Sequence, residues 1–295
     1  MLLRALLFLL FGSLFFGPKQ VQAQSVQPPF RAIVGPVLIA HRGGALEVPE
    51  NTLAGVKHAI AIGADWVEID VTLSRDDRVV VIHDDTLERT TNGKGLVSKK
   101  RLKELQRLSA GNPGVSIKTL ARLKLAGIAS PDFGDAYKKE RVPSLRQVLD
   151  AGDIRVMIEM KAGAHPRRLA HGVIDTINKS YAWHRVAVGS FDTELLTLAH
   201  SRDPTVPLIG IAKTLASLEN HLELPLAAVA ISESLLGEAF KIVPAGVAIW
   251  VWTVRDVKTA EALREKGVHG IITDIPKKVV KHLRPPVDVH LKLSR

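Results

Sequence analysis

Four short motifs between Ile39 and Asp85 concentrate two histidines, an arginine and several carboxylates. They are His41-Arg42-Gly43, Pro49-Glu50-Asn51-Thr52, Glu68-Ile69-Asp70 and His83-Asp84. The segments that carry them otherwise read as buried strands. Stripping water from a charge costs several kcal/mol or more unless a partner replaces it, so the cluster calls for a reason to exist. A divalent cation, a bound anion and acid–base chemistry together supply one.

The surrounding sequence shows what positions these residues. Short Val- and Ile-rich runs recur at Val37–Ala40, Trp66–Leu73, Ile154–Met160, Val186–Gly189, Pro207–Ile211, Ala227–Ile231, Val247–Val254 and Gly270–Thr273. Helix-period segments lie between them, among them Leu53–Ile62, Arg167–Lys179 and Val257–Lys266. Strands alternating with helices predict a parallel sheet, and this number of repeats predicts an α/β fold, a (β/α)8 TIM barrel. An open doubly wound sheet is the alternative. Val79–His83 reads as an extra strand-like run after the second strand. The polar stretch of about 84–140 that follows reads as an insertion over the barrel mouth, with a helix at Lys99–Leu108.

Barrel enzymes carry their sites at the C-terminal ends of the strands. The polar residues fall there: His41-Arg42, then Glu68 and Asp70, Glu159 and Lys161, Ser190, Trp252 and Asp274. Residues two apart share a strand face, so Glu68 with Asp70, and Glu159 with Lys161, point into the barrel. Three converging carboxylates make an oxygen site suited to Ca²⁺ or Mg²⁺; the alternative is that they are salt-bridged to Arg42 and Lys161 with no metal. A zinc centre would want His and Cys ligands. His41 and His83 suit general acid and base, because imidazole titrates near neutral pH. Arg42 has the fork for a phosphate oxygen or for an ion pair with Glu50. Lys161 adds a point charge, and Trp252 a pocket wall.

Composition sets limits on the rest. The chain has 295 residues, a formal charge of +10 and no cysteine. Disulfides and thiolate chemistry are excluded. The basic excess suits anionic substrates or, less directly, a membrane surface. No helix-turn-helix, zinc finger or aromatic-lined strand-binding pattern supports nucleic acid as a partner. Arg4, the apolar run Ala5–Phe16 and Val21-Gln22-Ala23 read as a signal peptide over 1–23, and predict export to the periplasm or beyond. Residues 24–36 then read as an unstructured lead-in, 37–280 as the barrel, and 281–295 as a basic tail, with a solvated end from about Lys277 on.

Taken together, the ordered motifs Ile39-Ala40-His41-Arg42-Gly43, Pro49-Glu50-Asn51-Thr52, Glu68-Ile69-Asp70, Val81-Ile82-His83-Asp84, Thr90-Thr91-Asn92-Gly93, Ile158-Glu159-Met160-Lys161, Val251-Trp252-Thr253-Val254 and Thr273-Asp274-x-Pro276 resemble the glycerophosphodiester phosphodiesterases. The resemblance runs from Val37 to Pro276. It implies a TIM barrel with a small insertion after strand two. It implies hydrolysis of glycerophosphodiesters, such as glycerophosphocholine or glycerophosphoethanolamine, to sn-glycerol 3-phosphate and an alcohol. It also implies a metal on Glu68, Asp70 and Glu159, catalysis by His41 and His83, and substrate contacts from Arg42, Lys161, Trp252 and Glu50. Lysophospholipase D-like or phospholipase C-like cleavage of a lipid by the same residues is the alternative. Where the family often has Asn after Trp-Thr-Val, this chain has Arg255. The sequence leaves open which histidine is the acid, whether water or the substrate's 2-hydroxyl attacks, and the oligomeric state.

Overall fold

The computed structural model of the chain describes residues 30, 32, 34–111, 124 and 133–284. The signal-peptide reading of 1–23, most of the stretch 113–136 and the tail beyond 284 lie outside the described residues. Eight strands pair in parallel and close on themselves: β1 (Val37–Ala40), β2 (Trp66–Leu73), β4 (Arg155–Met160), β5 (Val186–Ser190), β6 (Leu208–Ala212), β7 (Leu226–Ser232), β8 (Ala248–Val254) and β9 (Gly270–Thr273). Closure is made where β1 pairs with both β2 and β9, with Val37 opposite Gly270 and Ala40 opposite Thr273. The fold is therefore the expected (β/α)8 barrel. A short strand, β3 (Val79–Val81), hangs antiparallel on the outer end of β2, with Val71 opposite Val81.

The alternation of side chains explains both layers. Ile69, Val71, Ile158 and Met160 face outward and join the core shared with the helices. That core includes Leu169, Val173, Ile174 and Ile177 of α4 (Pro166–Lys179). Trp66, Met157, Ile209, Ala228, Ala230 and Trp250 fill the interior. The helices start where polar side chains take up their unpaired N–H groups. Thr52 caps α1 (Leu53–Ala61), Ser144 caps α3 (Leu145–Leu149), and Asp192 caps α5 (Thr193–Arg202). Thr214 and Asp256 do the same for α6 (Leu215–His221) and α8 (Val257–Glu265), while α7 (Leu236–Ile242) follows a 3₁₀ turn at Glu233–Leu235.

The insertion is locally folded around its own small core of Val80, Ile82, Leu87, Val97, Leu105 and Val142. The helix expected over Lys99–Leu108 is broken in two. A 3₁₀ turn at Val97–Lys99 and α2 (Leu102–Leu105) are separated by the extended residues Lys100 and Arg101.

Two expectations about the ends are corrected. The lead-in is not wholly loose: Phe30 is buried against Trp66 and Trp250, ring centroids 5.6 and 5.9 Å away, and its carbonyl accepts a bond from Trp250 Nε1. An aromatic plug thus closes the N-terminal end of the barrel. Residues 277–284, the described part of the expected solvated end, are folded as well. They form α9 (Pro276–Leu283), which buries Val279, takes an N-terminal cap from Glu47 onto Lys277 N, and ends with Arg284 paired to Asp65 at 2.6 Å. Pro276 begins this helix because the first helical position needs no N–H. Among the described residues, no helix is long and apolar enough to cross a membrane.

Candidate active site

The first turn after β1 sets the site. His41–Gly43 forms a 3₁₀ turn in which Arg42 has φ 53° and Gly43 φ 85°. A Cβ on Gly43 would lie 2.6 Å from the Gly55 Cα of α1, so glycine is the residue that lets the turn press on the helix. The turn aims the Arg42 backbone N–H at Glu68 Oε2, 2.8 Å away. Asn51, also left-handed at φ 57°, grips Asp70 twice. Its Nδ2 donates to Asp70 Oδ2 at 2.8 Å, and its Oδ1 accepts from Asp70 N at 3.0 Å. Left-handed backbone costs a non-glycine residue roughly 1–2 kcal/mol, here spent on two residues that fix metal-type carboxylates.

Glu68, Asp70 and Glu159 offer oxygens that all lie within 4.8 Å of one another, and all three residues are buried. Asp70 sits opposite Glu159 in the β2–β4 register. Cations stand beside them. Arg42 Nε is 3.1 Å from Asp70 Oδ2, and Lys161 Nζ is 2.6 Å from Glu159 and 3.4 Å from Asp70. These ion pairs leave hydrogen bonds unmade. Glu68 Oε1 and Asp70 Oδ1 are buried with no hydrogen-bond donor in proper geometry among the described residues. Unsatisfied buried carboxylate oxygens are costly, and an all-oxygen donor set fits a hard divalent cation such as Ca²⁺ or Mg²⁺. Burial, then Asp70 and then Glu159 push the Glu68 carboxyl well above its usual range. For Asp70 burial pushes the same way, but Arg42, Lys161, His83 and Asn51 outweigh it and hold the carboxyl low.

Each candidate histidine is backed by an aspartate. His41 Nδ1 lies 2.5 Å from Asp274 Oδ1, at the end of β9, and His83 Nδ1 lies 2.6 Å from Asp84 Oδ1. Burial works against ionising Asp274, yet His41 and Arg255 keep its carboxyl below the ordinary range. The same holds for Asp84, where burial is outweighed by His83 and Arg89. Both aspartates are therefore acceptors for an Nδ1–H, which leaves the Nε2 atom of each imidazole clear of this contact. His41 Nε2 is 3.9 Å from Glu68 Oε2.

His41, Arg42, Glu68, His83, Glu159, Lys161 and Trp252 line one cavity of about 180 Å³. Trp252 forms a wall, edge-on to Phe191 at 5.5 Å, with its Nε1 bonded to the Ala230 carbonyl. Asp70 lies beneath, fully buried. Glu50 stands apart from this group. Its two oxygens accept from Arg42 Nη1 at 3.0 Å and from Arg89 Nη1 and Nη2 at 2.7 and 2.9 Å, so it faces the arginines rather than the cavity. Ser190, at the end of β5, turns to backbone partners at Met160 and Asp192.

Sequence reasoning gave no role to Asp84, Asp274, Arg89, Arg255 and Asn51. Closure of the barrel puts the end of the last strand beside the end of the first, which is the signal that pairs His41 with Asp274. Arg255 then pairs with Asp274 Oδ2 at 2.6 Å. Nothing in the local sequence points to Arg89.

A sequence model of the Glycerophosphoryl diester phosphodiesterase family matches residues 41–278. The glycerophosphodiester phosphodiesterase of Caldanaerobacter subterraneus is 34% identical over 262 residues, covering 84% of this chain and 98% of its own. A solved phosphodiesterase of Oleispira antarctica, in complex with the product sn-glycerol-3-phosphate, is 27% identical with a TM-score of 0.73, and covers 84% of this chain and 97% of its own. A Silicibacter pomeroyi structure, 21% identical with a TM-score of 0.71 over 86% of this chain and 95% of its own, shares the fold. A barrel of this topology hosts many chemistries, but the matched family and the relatives agree on one. The chain belongs to the glycerophosphoryl diester phosphodiesterase family and is a phosphoric diester hydrolase.

Proposed function

We propose that the enzyme hydrolyses glycerophosphodiesters to sn-glycerol 3-phosphate and an alcohol, with Glu68, Asp70 and Glu159 holding a divalent cation and His41 and His83 as the acid–base pair. The observation that carries this reading is one small site in which two aspartate-backed histidines flank three buried carboxylates, Glu68 and Asp70 each with an oxygen that lacks a hydrogen-bond donor among the described residues. The Oleispira relative, whose product is sn-glycerol-3-phosphate, supports the product.

When bound, Ca²⁺ or Mg²⁺ would offset charge on the phosphodiester oxygens and on the extra negative charge of the pentavalent transition state. The chain's own residues do the rest. Arg42 and Lys161, held charged by the carboxylates around them, draw the phosphate into the cavity. One imidazole takes a proton from the attacking hydroxyl at its Nε2, and the other donates a proton to the leaving oxygen. Asp274 and Asp84 keep both rings oriented and favour the protonated state as it forms. Glu50 positions Arg42 and Arg89. Trp252 and Phe191 shield one side from water.

The test is release of glycerol 3-phosphate from a panel of glycerophosphodiesters, with a chelator and with Ca²⁺ or Mg²⁺ added back. Chelation should abolish turnover and readdition restore it. His41→Ala should lower kcat by about 10²–10⁴-fold. Unchanged turnover in both conditions would sink the reading. A substrate lacking the 2-hydroxyl separates the two nucleophiles: normal turnover means water attacks.

We also propose that the chain is exported. Arg4, the apolar run Ala5–Phe16 and Val21-Gln22-Ala23, with cleavage after Ala23, support this. Cleavage there would keep Phe30 on the mature chain. N-terminal sequencing of the secreted protein should begin at Gln24; a mature protein starting at Met1 contradicts it.

A further inference from the structure

The catalytic cavity, at about 180 Å³, falls below the roughly 300–1,000 Å³ of sites that enclose a whole drug-sized ligand. Beside its charged residues, part of its lining is carbon, from Met157, Ile211, Ala230 and Ile272, and suits the glycerol skeleton of a glycerophosphate. The alcohol half of a diester seated there has to extend out of it.

A second hollow of about 470 Å³ opens beside the first, between the β2–β3 turn, the Val97–Lys99 turn of the insertion and the loop that leads from β4 into α4. Lys161 lines both hollows. The segment His83-Asp84-Asp85 runs between them, with His83 on the catalytic side and Asp85 on the other. Lys161 and the His83–Asp85 segment thus form the boundary across which a ligand with its phosphate near Lys161 and His83 would extend its alcohol half.

The charges of the second hollow are unequal. Arg168 is matched by Asp77 at 3.4 Å, and Lys161 by Glu159 at 2.6 Å. Arg75 and Lys99, both exposed on its wall, have no ion pair within 4.0 Å among the described residues. Asp85 is the remaining acidic residue of the lining. The surplus is cationic.

We propose that this second hollow is the alcohol subsite and that Arg75 and Lys99 make it favour alcohols bearing a phosphomonoester or carboxylate over the cationic alcohol choline. The inference rests on the diesterase reading above. It selects among substrates that share the glycerophosphate half and differ only in what leaves.

The experiment measures kcat/KM for three diesters: glycerophosphocholine, glycerophosphoglycerol, and glycerophosphoglycerol carrying a terminal phosphate. The wild-type enzyme, the double variant Arg75→Glu/Lys99→Glu and a control Arg146→Glu are compared. Arg146 pairs with Asp150 on an exposed face of α3 and lines neither hollow. In the wild type and the control, the phosphorylated alcohol should be favoured over choline by roughly five- to tenfold at low salt, with the ratio shrinking as salt is added. The double variant should reverse the order. The readout is a ratio within one protein, so a loss of folded fraction cancels. Turnover of all three with a ratio that the double variant leaves unchanged overturns the alcohol subsite alone. Absence of turnover with all three overturns the diesterase reading, and this inference with it.

Discussion

Strand β2 presents Trp66, Glu68 and Asp70 to the barrel interior in steps of two residues. At its lower end Trp66 joins Trp250 at 5.4 Å and Phe30 at 5.6 Å in an aromatic plug. At its upper end, four residues on, Asp70 sits among charges with one oxygen unsatisfied. One face of one strand thus runs from packing to chemistry over a single short length. The lower half gains stability by excluding water. The upper half keeps buried like charges and left-handed backbone that cost stability, and it is tolerated because the lower half and the outer core hold the strands in place.

That contrast can be broken from either end. The largest effect is expected at the bottom. Trp250→Ala should cost about 3–5 kcal/mol, a fall in melting temperature of roughly 10 °C or more, while the protein that remains folded keeps its kcat. A comparable loss of kcat per folded molecule would show that the plug also shapes the mouth. Next, at the top, Asp274→Asn should lower kcat by about 10²-fold or more, since the amide no longer holds His41 in its Nδ1–H form, and should shift the melting temperature much less than Trp250→Ala. Retained activity would mean that the Asp274 contact is not what orients His41 for catalysis. The smallest effect sharpens the trade between the halves. Glu68→Gln removes one of three clustered buried carboxylates whose burial and neighbours push its carboxyl up. In chelator it should raise the melting temperature by a few degrees while activity is lost. A lower melting temperature would show that the Glu68 charge is already compensated by Arg42.

Much of this was legible in the sequence because of the kind of signal involved. Short Val- and Ile-rich runs mark strands buried on both faces, and Trp66–Leu73 and Gly270–Thr273 match the observed β2 and β9 at both ends. Period-two spacing was enough to put Glu68, Asp70 and Glu159 on the inner face, where the structure brings them together. The illegible parts depend on partners far away in the chain. Phe30 follows Pro28-Pro29 and reads as linker; only the meeting of Trp66 and Trp250 makes a seat for it. The residues from Lys277 on read as a solvated end, yet Glu47 caps the helix that Pro276 starts. Glu50 and Arg42 are eight residues apart and were read as a pair, but Arg89, which takes most of the Glu50 carboxylate, is 39 residues from it.

The pairing of β1 with β9 has a consequence for how the chain acquires activity. His41 lies at the start of the folded sequence and Asp274 near its end, 233 residues later. Contacts of such long range make folding slow, and this one waits until the ninth strand has been made. A chain emerging from a ribosome or a membrane pore holds an uncompensated edge on β1 for nearly its whole length, the kind of exposed edge that invites aggregation. The first turnover of a refolding molecule therefore times the closing of the ring, and an activity assay doubles as a clock for that last step.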